Sequence, residues 1–185
     1  MSENRKKILV LNGSPRANGN TSALIKAFSE GAEAAGHSVS AFLLHDLNIA
    51  GCKGCWGGGK NPDSPCTIKD DMDKIYPAYR EADVVVLASP LYYWSISGQL
   101  KIAFDRLFAI AEESANYANP QKDAVLLMAA EGDGFEESVY WYERMMKHIQ
   151  WKDLGQVLAS GVGQPGDIEG KPELKKAYEL GRSIR

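Results

Sequence analysis

Between Asn12 and Ser22 the chain sets hydroxyls (Ser14, Thr21, Ser22), amides (Asn18, Asn20) and one guanidinium (Arg16) among Gly13, Pro15 and Gly19. That set suits a phosphate monoester bound without metal. Each charge-assisted hydrogen bond contributes about 1.5–3 kcal/mol, so a few of them supply much of the roughly 8 kcal/mol of a micromolar affinity. The stretch lacks the Gly-Lys-Ser/Thr ending of a nucleoside-triphosphate loop and the Gly-x-Gly-x-x-Gly of a dinucleotide turn. The plainer alternative is an ordinary turn into a capped helix. Such turns run about 2–6 residues and rarely need an arginine between two glycines.

Two further stretches carry chemistry. Pro90, Leu91, Tyr92, Tyr93 and Trp94 put aromatic faces in one loop, which suits a large planar heterocycle whose polar edge backbone N–H groups can reach; single members could instead pack under the loop or in a subunit interface. Cys52, Cys55 and Cys66 fall within fifteen positions. An odd, clustered set does not make a disulfide framework for a domain of this size. Three readings stand: inert loop cysteines, a redox-active thiol pair with one lowered pKa, or a metal or cluster site. The last is the least favoured, because a four-iron cluster or structural zinc takes four ligands and His45, Asp63 or water would have to complete the set. No metal site is therefore expected.

These residues need elements to hold them. Ile8–Leu11 is a short branched apolar run, as in a strand buried on both faces. A helix follows over 20–35, with Asn20, Thr21 and Ser22 offering capping oxygens and Gly36 as a left-handed stop. A strand feeding a polar loop into a helix N-terminus aims N–H groups and the positive dipole end at one place, where an anion belongs. The pattern then predicts a strand over 38–44, a non-periodic connection over 45–69 and a helix over 70–81 opened by Asp70 and Asp71. Pro77 should kink that helix. A strand over 84–88, a helix over 97–113, a strand over 124–130, a helix over 136–151, a strand over 154–160 and a helix over 172–184 complete the chain. Tyr140, Trp141, Tyr142, Met145, Met146 and Trp151 read as core plus a dimer face. Lys101 and Asp105 read as a surface ion pair, and the three histidines as surface or capping residues.

This alternation predicts an α/β fold with helices on both faces of a five-stranded parallel sheet, doubly wound in the order 2-1-3-4-5. Ligands of such sheets bind beyond the carboxyl ends of the strands, at the switch point between strands one and three. The loops after Leu11, Ala88 and Ala130 should therefore converge. Topology alone adds Ala130, Glu131 and Gly132 to the candidate site.

Gly13-Ser14-Pro15-Arg16-x-x-Gly19-Asn20-Thr21 resembles the phosphate loop of flavodoxin-like flavoproteins, in the branch of NAD(P)H-dependent FMN reductases and iron–sulfur flavoproteins. The likeness continues through Asp70-Asp71-Met72, Glu81-Ala82-Asp83, Ser89 to Trp94 and Lys101 to Arg106, covering about the first 130 residues. The resemblance implies a flavodoxin-like fold that binds FMN. Ser14, Arg16, Asn18, Asn20, Thr21 and Ser22 would hold the phosphate, and Pro90, Leu91, Tyr92, Tyr93 and Trp94 would lie beside the ring. An acidic Glu131 suits a reduced flavin poorly and is expected to point away. NAD(P)H would deliver hydride to the flavin N5, leaving no side chain as catalyst. The electrons would pass to a small acceptor such as a quinone, a flavin or a nitroaromatic. The alternative is an electron-transfer protein of iron–sulfur-flavoprotein type, serving a redox protein through the cysteine loop. That branch's compact motif supplies four thiolates, whereas Gly58 stands about where the third would be.

The chain has 185 residues, 44% hydrophobic and 24% charged, with a net charge of −3. That is enough for one full core, so a single FMN-binding domain over 1–185 is expected. The charge gives no reason to expect nucleic acid. No run approaches the roughly 20 apolar residues of a membrane span, and Asn4-Arg5-Lys6-Lys7 precedes too short an apolar run for a signal peptide. A cytoplasmic homodimer or homotetramer is expected.

Overall fold

A computed structural model describes residues 5–185; residues 1–4, which include Asn4 and the start of the expected 1–185 domain, lie outside the described residues. Five strands form one sheet in the order β2-β1-β3-β4-β5: β1 Lys7–Asn12, β2 Ser38–Leu43, β3 Val84–Pro90, β4 Asp123–Ala129 and β5 Lys152–Ala159. Every pairing is parallel, with Leu11 opposite both Phe42 and Leu87, and Ala129 opposite Ala159. The predicted fold class and strand order are therefore those observed.

The central strands are apolar throughout because both faces are covered. Leu9, Leu11, Val85, Leu87, Leu126 and Met128 face one core, with Met72, Ile75 and Tyr79 of α2 (Met72–Glu81), Leu100 and Ala103 of α3 (Gly98–Arg106), and Tyr142 and Met146 of α5 (Glu136–Ile149). Ile8, Val10, Val84, Val86, Val125 and Leu127 face the other, under Leu24, Ile25 and Phe28 of α1 (Asn20–Ala34) and Ala177 of α6 (Pro172–Ser183). A four-residue turn, α4 (Phe108–Ala111), follows α3.

Several boundaries depart from the sequence pattern for identifiable reasons. The expected 97–113 helix breaks at Leu107, where the Arg106 carbonyl accepts from the Tyr76 hydroxyl at 3.1 Å and Ile110 N–H turns to Leu107 O. Asn20, Thr21 and Ser22 do not cap α1. Gly19 occupies the cap position with no side-chain bond, and the three polar residues form the first turn. α2 starts at Met72 because Asp70 is drawn away by the buried Arg106, and it runs through Pro77 to Glu81. α5 ends at Ile149 with Gln150 left-handed, so Trp151 lies beyond the helix, buried, its indole donating to Pro120 O at 2.8 Å. His37 is not a surface group. It is buried, accepting from Lys6 N–H at 3.1 Å through Nδ1 and meeting Ile184 O through Nε2 at 3.0 Å, which ties β1 to the end of α6. Among the described residues no helix is long and apolar enough to cross a membrane.

α1 and α6 cross on glycine. A Cβ on Gly31 would run into the carbonyl of Tyr178, and one on Gly181 into the carbonyl of Phe28. Backbone against backbone leaves nothing flexible to yield. Gly31→Ala and Gly181→Ala should each lower stability by about 1–3 kcal/mol, the usual overpacking cost, read as a lower urea midpoint at unchanged slope. An unshifted midpoint in both would mean the helices separate freely.

Candidate functional site

The carboxyl ends of β1, β3, β4 and β5 carry four loops that meet in a cleft. Gly13 starts the first, its N–H bonded to Ala88 O at 2.8 Å, while the Ser97 hydroxyl donates to Gly13 O at 2.8 Å. Ser97 also caps α3 and receives support from the Ser89 hydroxyl, which accepts from Ser97 N–H at 2.8 Å. A Cβ on Gly13 would stand 2.5 Å from the Ser97 oxygen and 2.7 Å from Leu100 Cβ. Only glycine lets the two loops touch here.

Within the first loop the Asn12 carboxamide accepts from Ser14 N–H at 2.9 Å and donates to the Ser22 hydroxyl at 3.3 Å. The Ser22 hydroxyl in turn donates to Arg16 O at 3.0 Å. Arg16 reaches across the mouth and donates to Gly163 O at 3.0 Å. Asn20 donates to Val162 O at 3.1 Å and Gln164 O at 2.8 Å, while its Oδ1 is buried with no partner. No side chain caps α1, and the N–H groups of Asn20, Thr21 and Ser22 take no protein acceptor among the described residues. This cradle fits a phosphate: orphan N–H groups on the positive end of a 15-residue helix, with a cation beside them.

The second loop enters the cleft with Pro90, Leu91 and Tyr92, the third with Ala130 and Glu131. Leu91 N–H binds Ala129 O at 3.1 Å and Ala130 N–H binds Ala159 O at 2.9 Å, so each loop leans on the next strand. Tyr92 and Ser95 exchange backbone bonds of 2.9 and 3.1 Å around Tyr93 and Trp94, both in left-handed conformation with φ 49° and 59°. Bulky residues there cost about 1–3 kcal/mol each. Their side chains are not in the cleft: Tyr93 is 95% exposed and Trp94 61%. Trp94 lies against Gly134, and its carbonyl accepts from Ser138 at 3.1 Å.

Of the residues singled out by sequence, Ser14, Arg16, Asn20, Thr21, Pro90, Leu91, Tyr92, Ala130 and Glu131 line one cleft of about 190 Å3. Asn18, Ser22, Tyr93, Trp94 and Gly132 stand outside it, Ser22 as the brace of the Arg16 turn. Glu131 is exposed, its methylene and carboxyl carbons over Gly163. The fourth loop, Val162 and Gly163, was missed. Val162 and Gly163 carry neither charge nor aromatic ring, and their backbone carbonyls do the work; only the strand order could have found them.

The connection over 45–69, non-periodic in sequence, is tied down by Arg106. Its guanidinium grips both oxygens of Asp70 at 2.7 and 3.1 Å and donates to Ala50 O at 2.7 Å and Ile68 O at 3.1 Å, with 0% and 6% exposure for the two side chains. Burial opposes the charge on Asp70, but Arg106 and the N–H groups of Ala50 and Met72 outweigh it and hold the carboxyl below its ordinary value. Asp71 accepts from Asn48 N–H at 2.8 Å. Sequence reading missed Arg106; an arginine at the apolar end of a helix was the available signal. Lys101 and Asp105 pair on the surface at 2.6 Å, as expected.

The three cysteines line a second pocket of about 220 Å3 with Trp56, Phe108 and Arg106. Gly58 N–H binds Glu112 Oε2 at 3.1 Å, and a Cβ at residue 58 would collide with that carboxylate. Position 58 itself offers no thiolate, and the chain has three cysteines in all. Among the described residues no group of three His, Cys, Asp or Glu side chains could hold a metal ion.

A doubly wound flavodoxin-like sheet with a phosphate-suited cleft at its switch point defines a class of nucleotide-binding α/β proteins. The sequence profile described as NADPH-dependent FMN reductase matches residues 6–162. The chain belongs to that family and is an FMN-dependent oxidoreductase. An iron-sulfur flavoprotein of Archaeoglobus fulgidus is 31% identical over 172 residues, covering 93% of this chain and 76% of the relative. Another, of Methanosarcina thermophila, is 32% identical over 133 residues, 72% of this chain and 69% of the relative. The fold is shared with an NAD(P)H:quinone oxidoreductase of Methanothermobacter marburgensis (TM-score 0.73, 19% identity, 98% and 96% of the two chains). It is shared also with an FMN-dependent NADH-azoreductase of Bacillus anthracis in complex with FMN (TM-score 0.71, 17% identity, 95% and 98%).

Asp70 binds its proton more weakly in the folded chain than in the unfolded one. Its contribution is therefore complete above the ordinary carboxyl value of about 3.9 and is lost as pH falls through the lower folded value. Asp70→Asn should cost about 3–5 kcal/mol at pH 7, the penalty of leaving a buried charge unpaired. The gap to the parent protein should narrow below about pH 4. Equal urea midpoints at pH 7 would contradict the clamp.

Proposed function

We propose that the chain is a single FMN-binding domain that takes electrons from NAD(P)H and passes them to a small acceptor such as a quinone, a flavin or a nitroaromatic. The observation that carries this reading is the cradle at the start of α1. The Arg16 guanidinium and the first turn of α1, where Asn20 and Thr21 line the cleft with N–H groups that meet no protein acceptor among the described residues, flank one anion-sized place at the switch point. Ser14 and Thr21 add hydroxyls to the phosphate side, with Asn18 and Ser22 shaping the turn around them. Pro90, Leu91 and Tyr92 would flank the ring, with their backbone N–H groups toward its polar edge. Ala130, Glu131 and Gly132 would close the far side.

When bound, FMN supplies the redox chemistry, accepting hydride at its N5, so no side chain is required as acid or base. The chain's own residues bind, orient and shield. Arg16 already spans from the first loop to Gly163 O, so it can strap the phosphate side without a large movement. The strained Tyr93–Trp94 turn holds two aromatics outward at the mouth. There they suit a flat acceptor or a second subunit, and a homodimer or homotetramer is proposed on that ground.

The relatives named iron-sulfur flavoproteins raise the electron-carrier alternative. The residues present do not fit a four-thiolate cluster, because the chain has only three cysteines and position 58 is a glycine whose N–H binds Glu112. No step through such a cluster is derived. A carrier without a cluster would still bind FMN and would differ in having no turnover with small acceptors.

Arg16→Ala should weaken FMN binding about tenfold or more, the equivalent of one charge-assisted bond of roughly 1.5–3 kcal/mol. Quenching of FMN fluorescence on titration reads it, and an unchanged Kd would remove Arg16 from the phosphate. NAD(P)H oxidation by the FMN-loaded protein with a quinone added should be catalytic. A protein that is reduced but does not turn over favours the carrier.

A further inference from the structure

The cysteine pocket lies away from the flavin cleft, and nothing in the proposed reaction uses it. α3 runs from Ser97, at the cleft, to Arg106, at the cysteine loop. At 1.5 Å per residue its nine residues separate the two by about 12 Å. The loop is not loose packing. Arg106 and Asp70 fix both of its ends, and Glu112 fixes its middle through Gly58 N–H.

Within that frame the three sulfurs have different surroundings. Cys66 is half-buried, with its thiol beside the Tyr76 hydroxyl and the Arg106 guanidinium. Cys52 and Cys55 are exposed on either side of a turn in which Gly54 is left-handed with φ 60°. Gly54 N–H donates to Cys52 Sγ at 3.4 Å, folding that sulfur back over the turn. Cys55 Sγ lies 3.2 Å from the Thr67 hydroxyl. Trp56, also left-handed at φ 51°, turns the next peptide toward the Cys55 sulfur. The Thr67 hydroxyl, and after it the Gly57 N–H, favour the thiolate and lower the Cys55 pKa from its ordinary value. An exposed sulfur with donors aimed at it and a second thiol three positions away is the arrangement of an attacking and a resolving cysteine.

We propose that Cys55 and Cys52 form a thiol–disulfide exchange centre, with Cys55 as the attacking sulfur, Cys52 as the resolving one, and a low-molecular-weight disulfide as substrate. The Cys55 thiolate attacks one sulfur of the disulfide RSSR. The S–S bond breaks, RS− leaves, and a mixed disulfide Cys55–S–S–R forms. The Cys52 thiolate then attacks Cys55 Sγ, closing Cys52–Cys55 and expelling the second RS−. Two thiols are oxidised to one protein disulfide, and RSSR is reduced to two RSH, which take up the two protons the cysteines gave up. Cys66 stays out of the exchange because its sulfur faces Tyr76 and Arg106 rather than the turn. Trp56 and Phe108, in edge-to-face contact at 5.4 Å, wall the pocket beside the pair.

The test uses the full chain, reduced, freed of reductant and exposed to oxidised glutathione, with intact mass and peptide mapping as readouts. The parent protein and Cys66→Ser should each acquire a Cys52–Cys55 disulfide and keep no glutathione. Cys52→Ser should stop at one stable glutathione adduct on Cys55. Cys55→Ser should lose the fast adduct and form neither product at the parent rate. Alkylation of Cys55 in Cys52→Ser should persist to lower pH than alkylation of free glutathione, a readout that a merely structural thiol would not give. A disulfide that maps to Cys66, equal adduct rates on Cys52 and Cys55, or a parent protein that stays fully reduced would each overturn the proposal. Circular dichroism of each variant separates loss of exchange from loss of fold. The result is independent of FMN, so it stands or falls apart from the flavin reading.

Discussion

The close approach of the first and second loops at Gly13 is the constraint on which the cleft depends. A parallel sheet brings the carboxyl ends of β1 and β3 side by side, but adjacency does not make a site. The site forms because Gly13 bonds Ala88 and Ser97 at once, with no room for a Cβ. That contact holds the first loop against the second, just ahead of the helix α1 whose first turn lines the cleft. Ser97 does two jobs with one oxygen, donating to Gly13 O and accepting from Leu100 N–H. The second loop is thereby fixed to the first before any ligand is bound. A preorganised anion site of this kind avoids ordering costs on binding.

The sequence carried the sheet well because its signal there is physical and local. A strand covered on both faces must be apolar throughout, and Ile8–Leu11 and Val84–Ala88 are. The cleft was legible through Arg16 and the polar turn for a similar reason: charge and hydroxyls between glycines have few other uses. What escaped was long-range. Arg106 and Asp70 are 36 positions apart, and their pairing decides where α2 starts and how the connection over 45–69 is held. Val162 and Gly163 act through carbonyls, which every residue has, so no residue type marks them. Asn20 looked like a cap and instead reaches to the fourth loop. The unforeseen break after α3 has the same origin, a tyrosine hydroxyl from another helix donating to the Arg106 carbonyl.

Gly58 shows how one position can redirect a loop. Glycine in an irregular stretch reads as flexibility, yet here the missing side chain admits the Glu112 carboxylate, which accepts from Gly58 N–H. Gly59, left-handed at φ 74°, lies just as close to the Glu112 backbone. The loop is thus pressed onto the end of α4 by two residues without side chains. A cysteine at 58 would push that contact apart. The sulfurs that remain face a pocket closed on that side by carboxylate and aromatic rings.

The two centres therefore differ in what they can exchange. The cleft faces the carboxyl edge of the sheet, where a planar cofactor and a planar substrate can stack in turn. The cysteine turn is carried down the length of α3, on a loop clamped by a buried ion pair whose partners tolerate no removal. The Cys55 pocket and the cleft share no lining residue. The clamp is the most costly part of the loop to open, with both charged partners out of water. The geometry thus favours separate reactions at the two centres of one chain, with any exchange between them passing through a partner molecule that reaches both.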